Sequence, residues 1–222
     1  MVSESRPPRL APPVHGPGVE RGSLLTFEGL DGSGKSTQCA RLAAALEADG
    51  RQVVGTREPT DGAWGRRIRA MASSGERVAP AEELRWFIED RREHVREVIE
   101  PALATGAIVL CDRYYHSTVA YQGARGHDPW VLLADAEAEF PLPHQTLWFA
   151  LPAARGLDRV QARGGTAEPA FEQLDFLERV EEIFEALAQR RPAIVRVDAS
   201  GDEATVAAQV VAALRGSVAP SR

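Results

Sequence analysis

The chain is nearly without lysine. Lys35 is the one lysine among 26 Lys and Arg residues, and stretches such as GRRIR and DRREHVR use arginine where lysine would serve a solvated surface equally well. A chain that keeps a single lysine keeps it for something arginine cannot do. Cysteine is scarce as well. Cys39 and Cys111 lie far apart without a CxxC pattern, which points to a reduced, cytoplasmic protein without a disulfide framework. The five histidines have neither HxxxH nor Cys/His spacing, which argues against a zinc site. No apolar stretch approaches the ~20 residues of a membrane-spanning helix, and no internal repeat is visible. A net charge of -6 argues against nucleic acid as a partner but leaves room for a local basic cleft that holds a small anion.

What is present suits one compact domain: 222 residues, 44% hydrophobic and 26% charged. Residues 1–22, rich in Pro, Gly and Arg, read as a disordered tail ahead of a single domain at 23–222. The alternative is a cleaved targeting peptide, which Glu4, Glu20 and the prolines suit poorly. Short apolar runs then alternate with helical patterns. SLLTFEG, RQVVGT, AIVLC, HQTLWFA and AIVRVDA read as strands. KSTQCARLAAALEADG, GDEATVAAQVVAALRG and a long helix over AEELRWFIEDRREHVREVIEPALATG, broken near Pro101, lie between and after them. Strands separated by helices predict an α/β protein with a parallel sheet covered on both faces.

The stretch from Gly29 to Ser36, GLDGSGKS, fits G-x-x-x-x-G-K-[ST], with a strand before it and a helix after it. Gly29, Asp31, Gly32, Ser33, Gly34, Lys35, Ser36 and Thr37 would wrap a phosphate with inward N–H groups at a helix N-terminus. Lys35 would reach between two phosphates as a compact ammonium, where a planar guanidinium does not fit. Ser36 offers a hydroxyl to Mg²⁺. The predicted fold is therefore a P-loop NTPase three-layer sandwich with a five-stranded parallel sheet and a short lid. A Ras-like GTPase reads guanine with a second lysine, which the chain lacks. A motor or helicase has Asp-Glu where this chain has Asp112-Arg113. An arginine beside the metal-facing Asp112 suits a second anionic substrate.

Leu84, Phe87, Ile88, Arg91, Val95, Val98 and Ile99 recur at helical spacing and predict an inward stripe. Two readings stand for Arg91: an ion pair with an internal carboxylate, or a donor to the edge of a flat ring that stacks on Phe87. Phe87 alone reads equally as core. Ser117 and Tyr121 share one helix face, Thr118 and Gln122 another, in a row richer in hydrogen-bonding groups than packing needs. Arg155, Arg159 and Arg163 fall four apart before Gly164-Gly165. They form either a solvated basic face or a face that closes over polyphosphate, as a lid at about 155–172.

FEGLDGSGKSTQ, TREPTDGAWGRRIR, FIEDRREH, CDRYYHSTVAYQGARG and LDFLERV together resemble the bacterial-type thymidylate (dTMP) kinases, among the P-loop nucleoside monophosphate kinases. The resemblance spans about Leu24 to Ala199. It implies ATP with Mg²⁺ as donor, dTMP as acceptor and a homodimer. It implies that Arg57 and Arg113 hold the acceptor phosphate, with Phe87 on thymine and Arg91 at its edge. Thr118 and Gln122 would lie near the base, Tyr121 beneath the deoxyribose and Asp31 at the 3′-hydroxyl. Two departures stand out. The family's TREP is usually followed by Gly-Gly-Thr, here Thr60-Asp61-Gly62. The lid's usual Asp-Arg-Ile-Glu is replaced by Ala167, Glu168, Pro169 and Ala170, so the lid cation falls to Arg159 or Arg163. Rival functions are a kinase of another nucleotide, or a nucleotide-binding regulator that has lost catalysis.

Overall fold

The structure is a computed structural model, and it describes residues 22–74, 78–162 and 170–216. Five strands form one parallel sheet: β1 (Ser23–Gly29), β2 (Val53–Arg57), β3 (Ile108–Asp112), β4 (Gln145–Ala150) and β5 (Ile194–Asp198), in the order β2-β3-β1-β4-β5. Every junction is parallel, so each strand needs a crossover segment before the next, and helices fill those segments. They are α1 (Lys35–Ala48), α2 (Ala63–Ser74), α3 (Pro80–His94), α4 (Glu100–Ala104), α5 (Tyr115–Ala124), α6 (Pro129–Glu139), α7 (Ala153–Gln161), α8 (Ala170–Arg190) and α9 (Glu203–Gly216).

β1, β3 and β4 are buried almost end to end because both faces are covered. On one face Cys39, Leu42 and Leu46 of α1 and Val206, Val210 and Leu214 of α9 pack on Leu25, Phe27, Leu110 and Phe149. On the other, Val119 of α5, Leu133 of α6 and Val180, Phe184 and Leu187 of α8 pack on Val109, Cys111 and Trp148. The two cysteines are free and buried. From β1 the chain crosses to β2, comes back to β3 beside β1, and then passes to β4 and β5 on the other side of β1; this reversal opens a crevice at the carboxyl end of β1. Register sharpens it: Asp112 lies opposite both Phe27 and Arg57.

The long helix departs from expectation in two ways. The break precedes Pro101 and is a five-residue π-helical turn, Val95–Ile99, between α3 and α4. Proline cannot donate to the helical ladder, and the extra residue falls in the turn before it. The inward surface of α3 is also wider than the apolar stripe. Arg91, Val95 and Ile99 are buried as expected, but so are Glu83, Trp86, Asp90 and His94. These meet polar partners from other segments: Arg67 of α2 lies 4.0 Å over the Trp86 ring, and Asp90 accepts from the Thr60 backbone N–H and hydroxyl. An apolar periodicity is blind to a helix buried against charged neighbours.

Candidate active site

The loop between β1 and α1 has the conformation its glycines permit. Gly29, Gly32 and Gly34 have φ of 140°, 82° and 86°, in the left-handed half that side chains resist. A Cβ at Gly32 would also stand 2.6 Å from the Gly156 carbonyl oxygen of α7. Gly34 immediately precedes α1 and has no side chain to cap the N–H groups of its first turn, which are left to an anion. The Ser33 hydroxyl is buried without a partner.

Lys35 is 5% exposed. Its ammonium donates to the Leu30 carbonyl at 3.3 Å and to Asp31 Oδ1 at 3.4 Å. Burial, with the Arg113 charge beside it, pushes its pKa down to about 8. Asp31 is held well below the usual carboxylate range, chiefly by Arg113 and then by Lys35. Arg113 reaches Asp31 Oδ1 at 2.6 Å and the Ser117 hydroxyl at 3.1 Å, with its guanidinium 5.3 Å from the Tyr121 ring centroid. It is the one non-glycine of positive φ, 70°, among the described residues, a conformation that costs on the order of 1–3 kcal/mol.

Glu28 holds that turn. It is fully buried on β1, accepts from the Tyr114 backbone N–H at 3.0 Å and takes a short hydrogen bond from the Ser117 hydroxyl. Ser117 thus stands between Glu28 and Arg113. Burial raises the Glu28 pKa to about 8 against the opposing pull of Ser117 and Arg113. His116, also buried, is kept neutral, its pKa lowered to about 3 by burial, Arg91 and Arg191.

Ser36 donates a short hydrogen bond to Asp112 Oδ2, while Asp112 Oδ1 is buried without a partner. A cleft of about 630 Å³ opens beside them, lined in part by Ser36, Arg57, Asp61, His94 and Asp112. The departure after TREP has a structural consequence here. Asp61 pairs with Arg57 at 3.0 Å and with Arg69 at 2.8 Å.

Arg91 forks onto Glu58 Oε2 through Nε at 2.9 Å and a terminal nitrogen at 2.6 Å, and donates to the Thr118 hydroxyl at 2.8 Å. His94 joins Glu58 to Thr56 with contacts of 3.0 and 2.6 Å. The internal carboxylate of the first reading of Arg91 is therefore Glu58. Phe87 is half-buried between Glu83 and Arg91 along α3.

The structure gathers Gly29 to Thr37, Arg57, Asp112 and Arg113 at one end of the sheet, and Phe87, Arg91, Ser117, Thr118, Tyr121 and Gln122 along the facing helices α3 and α5. Arg159 donates to the Gly32 and Ala199 carbonyls, each at 3.2 Å, and Arg155 to Ser200 O at 3.4 Å. Arg163 and the replaced lid positions 167–169 lie outside the described residues. Sequence reasoning missed Glu28, Glu58, His94 and Glu83. The one available signal was that Glu83, Phe87 and Arg91 are spaced four apart.

A lysine-bearing phosphate loop at the reversal of a parallel sheet, with a second cationic arm on the neighbouring strand, defines a phosphoryl-transfer enzyme of the P-loop nucleotide kinase class. A family model described as thymidylate kinase matches residues 27–210, and the chain belongs to the thymidylate kinase family. The thymidylate kinase of Akkermansia muciniphila is 44% identical over 197 residues, covering 89% of this chain and 93% of that relative. That of Xanthomonas euvesicatoria is 46% identical over 197 residues, covering 87% and 85%. A crystal structure of thymidylate kinase from Ehrlichia chaffeensis superposes with a TM-score of 0.69 at 28% identity, covering 88% of this chain and 99% of that one.

Proposed function

We propose that the protein transfers the γ-phosphoryl group of ATP to the phosphate of dTMP, giving ADP and dTDP for the supply of DNA precursors. The observation that carries this reading is the continuity of two half-sites through Arg113. On one side lie the phosphate loop and Lys35. On the other lies the α3–α5 slot, with the Arg113 guanidinium bonded to Asp31 and Ser117 between them. A dTMP phosphate oxygen attacks the γ-phosphorus as the bond to the β,γ-bridging oxygen breaks. The acceptor is already mostly dianionic at neutral pH, its second pKa being about 6, so no strong general base is required. Catalysis is positioning and charge neutralisation. The inward N–H groups and Lys35 hold the donor's β- and γ-phosphates, while Arg57 and Arg113 hold the acceptor phosphate against its own charge.

The orphaned Asp112 Oδ1 and the neighbouring Ser36 hydroxyl are hard oxygen donors and fit Mg²⁺. When bound, Mg²⁺ neutralises charge on the phosphate oxygens. Phe87 stacks on the base, Arg91, Thr118 and Gln122 face its edge, Tyr121 lies beneath the sugar, and Asp31 faces the 3′-hydroxyl. We place the lid at about 155–172, of which 163–169 lie outside the described residues. A homodimer in the cytoplasm completes the reading, supported by the family resemblance and testable by sedimentation.

Coupled ADP release with dTMP, dUMP, dCMP, UMP and dGMP tests the assignment. We expect dTMP to be best, dUMP to follow within roughly 10–200-fold for one missing methyl, and UMP and dGMP to be very poor. Nucleotide binding without ADP formation would instead identify a silent regulator, and equal use of UMP or dGMP would reject dTMP as the acceptor.

A further inference from the structure

α3 and α5 face each other with matched rungs. Glu83, Phe87 and Arg91 stand four apart on α3, and Thr118 and Gln122 four apart on α5, so each set lines one face. Arg91 bonds Thr118 at 2.8 Å at one end, and Gln122 Nε2 donates to Glu83 Oε1 at 3.0 Å at the other, with Phe87 one turn from each along α3. The outer oxygen of Glu83 takes Arg125 at 2.6 Å. Glu83 is 4% exposed and Gln122 1%, so water does not compete for these groups. Yet Gln122 Oε1 is buried without a partner. A buried amide oxygen left unmatched costs on the order of 1–3 kcal/mol, and a ligand that fills the slot recovers it.

The direction of the Gln122 amide is fixed by chemistry. A carboxylate paired with arginine only accepts, so the amide must turn its NH₂ toward Glu83 and its carbonyl toward the slot. The opposite orientation would set oxygen against oxygen in a buried site. The slot therefore presents an acceptor at Gln122 and donors at Arg91. Thymine and uracil offer the complement, an N3–H donor beside an O4 acceptor. Cytosine offers the reverse, an N3 lone pair beside an amino donor, and would be repelled at both points. We infer that Glu83, by locking the amide of Gln122, makes the site read a ring N–H and thereby excludes cytosine nucleotides. This makes Glu83 a specificity-determining positioning residue, and the inference rests on the dTMP reading above.

The test is kcat/KM for dTMP, dUMP and dCMP on the wild type and on Glu83→Gln, whose neutral amide accepts either orientation of Gln122. The wild type is expected to reject dCMP by roughly 10⁴-fold, as sites built to pair a ring donor do. In Glu83→Gln the dCMP:dTMP ratio should rise by roughly 10–100-fold, through a lower KM for dCMP, while the dUMP:dTMP ratio holds because the methyl contact is untouched. A dCMP:dTMP ratio that does not move, or a dUMP ratio that moves with it, overturns the inference, since a merely structural Glu83 would depress all three substrates alike. A wild type that uses dCMP as well as dTMP defeats the substrate reading instead. Should Glu83→Gln not fold, Glu83→Asp keeps the charge opposite Arg125 but withdraws the oxygen from Gln122, and the same shift in ratio is expected.

Discussion

Lys35 is buried at the first position of α1, just after the glycine loop, with its ammonium against a backbone carbonyl and Asp31. Arginine at this position keeps the charge but brings a planar fork too wide for the nest. Lys35→Arg should therefore lower turnover by more than about 10²-fold while the protein stays folded, as read by ADP release and circular dichroism. Near-normal turnover would contradict the role given to the loop. Glu28 supports a different prediction, one about pH. Its pKa is raised from 4.5 to about 8 in the fold, so between these values the native state holds a proton that the unfolded state has lost. The contribution of Glu28 to stability is then fully present below pH 4.5 and declines as pH rises toward 8, at up to about 1.4 kcal/mol per pH unit. Glu28→Gln removes the titration while keeping an oxygen for the Tyr114 N–H. Its thermal stability should gain on the wild type steadily from pH 5 to pH 8, and parallel curves would show that Glu28 is charged throughout.

At the scale of elements, α7 and the phosphate loop form one unit. Gly156 admits Asp31 so closely that a Cβ there would stand 2.9 Å from the Asp31 carbonyl oxygen, and Arg159 ties α7 to Gly32 and to Ala199 beyond β5. An arginine in this place can steady the loop and supply charge to the transferring phosphoryl group. Arg159→Ala should lower kcat by roughly 10²–10⁴-fold with a smaller change in dTMP affinity, the signature of a group acting mainly in the transition state. If kcat is kept, the lid cation lies elsewhere, with Arg163 next to be changed. The five strands and the loop were legible from the sequence because each carries a local signal, apolar runs and glycines where φ is positive, while the TREP and DRY stretches were read through the family resemblance. The partners of those residues were not legible. Glu58 for Arg91, Glu28 for Ser117 and Glu83 for Gln122 lie 33, 89 and 39 residues away along the chain. Glu83 reads in sequence as an ordinary acid in the first turn of a helix, where a carboxylate favours the dipole. Only the packing of α5 against α3 gives it another use. Strand order was likewise beyond reach, since it depends on which crossover covers which face.

At the scale of the whole molecule the question is where the folded unit starts. Residues 1–21 are rich in proline, glycine and arginine, a composition from which we expect a chain cut ahead of Gly22 to lose nothing. Among the described residues the first tie to the fold is Gly22, whose N–H donates to Leu103 O at 2.8 Å. Ser23 follows with a bond to Ala107 O at 3.2 Å, opening the ladder of β1. Gly22 admits no substitute, because a Cβ there would fall 1.9 Å from the Ala107 carbonyl oxygen. A truncated chain should therefore keep Gly22 and place its initiating methionine at position 21. That protein should match the full chain in kcat/KM within about twofold and in melting temperature within about 2 °C. A chain that places methionine at position 22 should fare worse, since the new side chain strikes the α4–β3 turn. One lost backbone hydrogen bond, about 1 kcal/mol, would lower its melting temperature by roughly 2–4 °C for a domain of this size, and the collision adds to that. If instead the chain cut at position 21 loses activity or changes its sedimentation, the segment before Gly22 belongs to the working enzyme, and the domain boundary drawn at residue 22 is wrong.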